Sequence, residues 1–162
     1  YIDVGGGSTE ISLLHDGTLT HSQSYNIGTL RMLGGMVSKE TVETMKTDLA
    51  RFAKDMPDMR IIGSGGNINK LFKLTNSDKD TRLVAVRDIK AVYDKLKVLS
   101  VEERIEQYGL KVDRADVIIP ASEIFMTAAE ALNCDSIKVP NISLADSIID
   151  GLYRTKYSSS DI

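Results

Sequence analysis

The stretch Asp3-Val4-Gly5-Gly6-Gly7-Ser8-Thr9-Glu10 decides how this chain is interpreted. The short apolar segment before it predicts a strand, and the three glycines predict a tight turn. Glycine adopts positive φ at no steric cost and lets backbone N–H groups approach an anion closely. Carboxylates repel a bound phosphate, so their presence beside one indicates a bound cation or a role in proton transfer. The stretch therefore predicts a phosphate-handling loop with hydrolytic potential.

The residues of this loop have distinct predicted roles. Glu10 is the catalytic candidate, because a carboxylate beside a bound phosphate can accept a proton from water or orient that water. Asp3 is the metal candidate, since Mg²⁺ takes oxygen ligands and usually keeps several waters. The structural alternatives are a solvated glutamate at a strand end and an aspartate bonded to loop amides. The predicted phosphate contacts are Gly5, Gly6, Gly7, Ser8 and Thr9.

The residues after the loop predict a β-hairpin. Residues 9–15 and 18–27 are strand-like, and Asp16-Gly17 between them is a strong hairpin signal. The glycines therefore lie between two strands. The dinucleotide fingerprint and the P-loop both place their glycines between a strand and a helix, and the P-loop also needs a lysine. Both nucleotide motifs are excluded for this loop.

A second glycine turn follows a short apolar strand and precedes a helix that starts near Asn67. Backbone amides and the positive end of the helix would point at this turn, which suits a phosphate or a nucleotide. A simple turn with close helix packing is an equally weighted alternative. The predicted phosphate contacts here are Gly63, Ser64, Gly65 and Gly66.

The order of the predicted elements indicates an α/β fold. Three strands are followed by alternating helices and strands, with a helical insert, which fits a mixed sheet of about five strands with helices on both faces. A stripe of apolar residues between positions 121 and 132 predicts a buried helix. Residues 1–157 form one predicted domain, and 158–162 a frayed tail. Helix starts are predicted at Ser38, Asp88, Ser100, Pro120 and Ser143.

The bulk properties narrow the functional classes. A chain of 162 residues is expected to form one domain with a real core. Its net charge of −3 argues against nucleic acid or an anionic membrane as the main partner. The single cysteine, Cys134, excludes an internal disulfide and fits a reducing compartment. We expect a cytoplasmic protein without a nucleic-acid or membrane partner.

Four segments, taken in order, resemble the exopolyphosphatase and guanosine pentaphosphate phosphohydrolase family: 3–10, 63–71, 114–120 and 143–151. The resemblance implies an actin-like, ribonuclease-H-like fold in which two such domains face each other across a cleft. On this resemblance the chain is the second, C-terminal domain, and the fold starts before Tyr1. The first domain would add another phosphate loop and another catalytic acid. The family often has threonine where this chain has Asn67.

The same resemblance implies a function for the parent protein, in bacteria. That protein would cleave the terminal phosphoanhydride of polyphosphate or guanosine pentaphosphate with Mg²⁺. Glu10 matches the family's water-activating acid, residues 5–8 its phosphate loop, and Asp3 a metal-linked acid. The expected partners are the substrate, the missing N-terminal domain and, in a homodimer, a second copy. The isolated half-cleft is expected to be inactive. A non-catalytic nucleotide- or phosphate-sensing module is the main alternative, and a sugar kinase is a third.

Overall fold

A computed structural model of the chain describes residues 1–140. These residues form one mixed sheet in the order β3-β2-β1-β4-β6-β5, with seven helices between its strands. The strands are β1 (Ile2–Val4), β2 (Thr9–His15), β3 (Thr18–Tyr25), β4 (Ile61–Ser64), β5 (Leu83–Ala85) and β6 (Ser136–Lys138). The helices are α1 (Thr29–Leu33), α2 (Lys39–Asp55), α3 (Gly65–Leu74), α4 (Val86–Leu96), α5 (Val101–Tyr108), α6 (Val112–Ala115) and α7 (Ile118–Ala131).

The sheet combines an antiparallel meander with a parallel centre. Strands β1, β2 and β3 pair antiparallel, whereas β1, β4 and β6 pair parallel. The hairpin turn between β2 and β3 is the predicted one: Asp16 and Gly17 have φ values of 48° and 76°. Positive φ at both central residues is the type I′ signature, whose twist matches that of the flanking strands.

The core lies between the sheet and helix α7. This helix contacts β1 together with α1, α2, α3, α4 and α6. Its predicted apolar stripe is buried, and Phe125 at its centre is fully enclosed. Burying each such large apolar side chain stabilises the fold by about 1.5–3 kcal/mol. The other stripe positions, all buried, are Ala121, Ile124, Ala128, Ala129 and Leu132.

The predicted caps at Ser38 and Ser100 are confirmed, whereas the predicted helix starts at Asp88 and Pro120 are wrong. The Ser38 hydroxyl accepts from the Thr41 amide, and Ser100 forms a complete capping box with Glu103. Asp88, in contrast, lies inside the first turn of α4, which starts at Val86. The Val86 amide donates to the Asp135 carbonyl at 2.8 Å, so a tertiary contact serves this helix end in place of a capping side chain.

Pro120 occupies the third position of α7 because that helix starts at Ile118. A proline is tolerated throughout the first turn, since amides there have no partner within the helix.

The sheet has six strands rather than about five. The additional strand, β5, pairs antiparallel with β6 at the sheet edge and spans only three residues. So short a segment shows no alternation that could predict it. The predicted last helix from Ser143, the tail and the domain boundary at residue 157 lie outside the described residues. None of the helices within residues 1–140 is both long enough and apolar enough to cross a bilayer.

Candidate functional site

The pairing of three neighbouring strands brings Asp3, Glu10 and Ser64 side by side. Asp3 lies opposite Glu10 on antiparallel β2 and opposite Ser64 on parallel β4. The residues on either side of Asp3 are buried, so alternation along β1 turns its exposed side chain away from the core. The position is the carboxyl end of β1 and β4, where open α/β sheets bind their ligands.

The two carboxylates face each other at a cost that hydroxyl groups partly offset. Side chains directly opposite on antiparallel strands have Cβ atoms about 4.5–5.5 Å apart, and like charges there are destabilising. Oε1 of Glu10 accepts from the Ser8 hydroxyl at 2.5 Å and from the Ser24 hydroxyl at 3.2 Å. These bonds hold the Glu10 carboxylate beside the glycine loop. Ser24 was not among the residues predicted for the site.

The glycine loop is held by its carbonyl oxygens. The amide of Gly5 donates to the Ser8 carbonyl at 2.9 Å, which closes the turn. The carbonyls of Gly5 and Gly6 accept from the first amides of α1, at 2.9–3.2 Å, and Nε of Arg31 donates to the Gly7 carbonyl at 2.7 Å. Within the described part of the chain, the amides of Gly6 and Gly7 make no hydrogen bond. Their availability matches a loop that binds an anion through N–H groups.

Thr9 anchors this loop from the protein interior. Its side chain is fully buried, and its hydroxyl donates to the Ile27 carbonyl at 2.6 Å. The hydroxyl is therefore not directed at the carboxylates, unlike the neighbouring Ser8 hydroxyl. A phosphate contact by Thr9 stays a prediction.

The second glycine turn lies directly against Asp3. Gly65 has φ of +91°, and a Cβ built on it would lie 2.5 Å from Oδ1 of Asp3. Glycine is therefore required here both by backbone conformation and by space. Gly65 also begins α3, so the Asp3 carboxylate lies at the positive end of a ten-residue helix. The two predicted glycine turns thus belong to one site, with Asp3 between them.

Two further residues complete the second turn. Asn67 is buried, and its Nδ2 donates to the Val4 carbonyl at 2.8 Å. Its Oδ1 accepts from Nη1 of Arg114 at 3.1 Å, and a Cβ on Gly66 would lie 2.9 Å from Nη2 of the same guanidinium. Neither residue was predicted to have a role, although each lies inside a segment that carries the family resemblance. Arg31 and Arg114 thus place one cation at each turn.

The carboxylate oxygens at this site suit a metal ion that also binds the substrate. Among residues 1–140 no cluster of three or more His, Cys, Asp or Glu side chains could hold a metal by itself. Mg²⁺ usually binds through one or two carboxylates, several waters and substrate phosphates. Adjacent Asp3 and Glu10 carboxylates beside two anion-binding turns fit that mode of coordination.

The sequence and the fold of this chain both match proteins of one family. Residues 1–156 match the Ppx/GppA phosphatase family. A candidate exopolyphosphatase of Haemophilus influenzae is 24% identical over 94% of this chain and 51% of its own length. A solved Ppx/GppA phosphatase of Aquifex aeolicus superposes with a TM-score of 0.77 at 23% identity, over 93% of this chain and 55% of that one. An exopolyphosphatase structure from Cytophaga hutchinsonii gives 0.72 at 19% identity, over 95% and 55%.

The chain spans about half the length of these relatives. The predicted fold class is confirmed: a mixed α/β sheet with helices on both sides, in the actin-like, ribonuclease-H-like architecture of the matched structures. The match to the family extends over nearly the whole sequence. The chain therefore belongs to the Ppx/GppA phosphatase family.

Proposed function

We propose that this chain is the C-terminal half of a phosphoanhydride hydrolase that releases the terminal phosphate of polyphosphate or guanosine pentaphosphate. The observation that carries the proposal is the register of β1, which sets Asp3 against Glu10 on one side and Ser64 on the other. Two carboxylates between two glycine turns are the arrangement that phosphoryl transfer to water needs. It requires an anion cradle, a site for a neutralising cation and a positioned water.

Glu10 has the role of positioning the attacking water. Its carboxylate is fixed by the Ser8 and Ser24 hydroxyls and is exposed, so its second oxygen can accept a hydrogen bond from water. The amides of Gly6 and Gly7 and the Ser8 hydroxyl are the donors for the terminal phosphate. Residues 63–66 would bind a neighbouring phosphate at the start of α3.

Asp3 is the residue that would hold Mg²⁺, directly or through water. When bound, the cation would neutralise charge on the phosphate oxygens. Arg31 and Arg114 add fixed positive charge at the two turns and would lower the repulsion between the substrate and the acids.

One half-site is insufficient for the reaction. The relatives are about twice as long, and we infer that the remaining half supplies a second loop and a second acid across a cleft. The isolated chain is accordingly expected to be inactive. A chain with a net charge of −3 and one cysteine suits a cytoplasmic location.

The test is phosphate release by the full-length protein, with polyphosphate and guanosine pentaphosphate compared at equal phosphate concentration. Glu10→Gln keeps an acceptor for both serines but removes the base, and we expect it to lose at least about 100-fold in kcat. Glu106→Gln, at an exposed position of α5, is the matched control. Full activity in Glu10→Gln would contradict the role of Glu10. Binding of either substrate by the wild type without turnover would instead indicate a sensing module.

A further inference from the structure

We propose that Asn67 is a positioning residue that fixes Arg114 and the first glycine loop relative to each other. Its side chain joins three separate segments: α3, the end of β1 at Val4, and Arg114 on α6. The proposal rests on the proposed function, because it names what holds the anion-binding groups in place. Asn67 itself would not touch the reacting atoms.

The orientation of the Asn67 amide is set by its two partners. The Val4 carbonyl can only accept, and the Arg114 guanidinium can only donate. Only one assignment of the amide oxygen and nitrogen satisfies both, with the nitrogen toward Val4 at 2.8 Å and the oxygen toward Arg114 at 3.1 Å. At 5% exposure the side chain has little access to water, so both bonds are costly to lose. The amide therefore works as a rigid spacer between two anion-binding elements.

Arg114 needs such a restraint. Its ion pair with Asp113 is long, at 3.7 Å, and 37% of the arginine side chain is exposed. Exposed ion pairs of this kind contribute little, and fixing an arginine side chain costs rotamer entropy. The hydrogen bond to Asn67 is thus the main contact that fixes the guanidinium above Gly66.

The position of Arg114 indicates what it is held for. The start of α3 carries the positive end of the helix dipole, where a cation is unfavourable and an anion is favourable. The guanidinium lies there even so, against the backbone of Gly66. The Asp3 carboxylate lies against the neighbouring residue, Gly65, and its negative charge offsets part of this cost. A bound phosphate would offset the rest, because it would accept from both the guanidinium and the helix amides.

The experiment is a double-mutant cycle on the binding of inorganic tripolyphosphate to the full-length protein. Four proteins are compared by calorimetry: wild type, Asn67→Leu, Arg114→Leu and the double variant. Leu71→Ala is the control for stability alone, since Leu71 is fully buried on the same helix and lies outside the site. Circular dichroism checks that each variant is folded.

We expect Asn67→Leu and Arg114→Leu each to weaken tripolyphosphate binding by about tenfold or more, and the double variant to be little weaker than Arg114→Leu alone. Such non-additivity is the signature of a residue that acts through Arg114. Leu71→Ala should be less stable yet bind as the wild type does. If Asn67→Leu does not fold, Asn67→Asp serves instead. It keeps an acceptor for Arg114, replaces the donor to Val4 by an oxygen and adds a negative charge, so its Arg114 side-chain NMR signals should stay those of an ordered guanidinium.

Independent, additive effects of the two substitutions, or wild-type binding by Asn67→Leu, would overturn the proposal. A mobile Arg114 in Asn67→Asp would do the same. A wild type that binds tripolyphosphate but releases no phosphate from either substrate refutes the proposed function alone, because the cycle still decides the role of Asn67. A wild type that does not bind tripolyphosphate refutes both.

Discussion

Replacing Gly28 by alanine should displace the first glycine loop. Gly28 precedes α1 and has φ of −140°, which any residue adopts, so backbone strain is not involved. The alanine side chain has no room here, because its Cβ would lie 2.4 Å from the Gly6 oxygen and 2.4 Å from the Gly7 carbonyl carbon. Both are backbone atoms and cannot rotate away as a side chain would. The loop and the start of α1 must therefore move apart.

The size of the effect follows from those distances. Ordinary contact needs about 3.5 Å, so the separation must grow by roughly 1 Å. Three backbone hydrogen bonds cross the gap, from the amides of Thr29, Leu30 and Arg31 to the carbonyls of Gly5 and Gly6. At a net contribution of about 0.5–1.5 kcal/mol each, their loss predicts about 1.5–4.5 kcal/mol of destabilisation. A displacement of about 1 Å at a reacting site can also cost about 100-fold in rate.

Urea unfolding and phosphate release of the full-length protein measure both effects. Gly7→Ala is the matched control for stability alone, because a Cβ there meets no atom within 4 Å and its φ is not positive. We expect Gly7→Ala to stay within about 1 kcal/mol of the wild type. Equal stability of Gly28→Ala and Gly7→Ala would contradict this expectation, because the loop would then adapt without losing its contacts to α1.

Two further predictions concern stability away from the site. The hydrogen bond to Glu123, together with burial and the Glu123 charge, raises the pKa of Tyr93 to about 12. Because this pKa is higher in the folded than in the unfolded protein, the interaction stabilises the fold below pH 10, and that stability is lost as pH rises through 10–12. The urea midpoint should therefore fall less steeply over this range in Tyr93→Phe than in the wild type, and parallel curves would contradict this. Ser100→Ala removes one bond of the capping box with Glu103 and should cost about 1 kcal/mol in urea unfolding, so an unchanged midpoint would argue against the cap.

Local signals made much of the fold predictable. The turn at Asp16-Gly17 depends on residues that tolerate positive φ, and the burial of α7 depends on the spacing of its own apolar residues. Strand β5 had no such signal, since three residues at a sheet edge are defined by their partner β6 and not by their own pattern. The start of α4 was misplaced for a related reason, because its first amide is satisfied by the distant residue Asp135.

The candidate site was only partly predictable from sequence. Asp3 and Glu10 were found because their residue types carry chemistry wherever they lie beside a glycine turn. Ser24 was missed because a register shift after Leu13 moves the pairing by one residue. A regular hairpin from the same turn would place Gln23 opposite Glu10. A β-bulge of this kind redirects a side chain toward a site, and no local composition marks it here.

Three residues hold the glycine loop through one type of contact. Arg31 and Asn67 were not predicted for the site, whereas Thr9 was predicted as a phosphate contact and not as an anchor. Thr9, Arg31 and Asn67 each donate to a backbone carbonyl of or beside the loop, so their partners carry no sequence identity. A run of glycines has no side chains of its own to order it, and fixing each residue costs about 1–2 kcal/mol in conformational entropy. Donors from neighbouring elements offset that cost during folding. An arriving phosphate then meets an ordered loop and does not bear the cost of ordering it, which favours affinity. Glycines at this site are therefore compatible with a rigid anion cradle, provided that these donors remain.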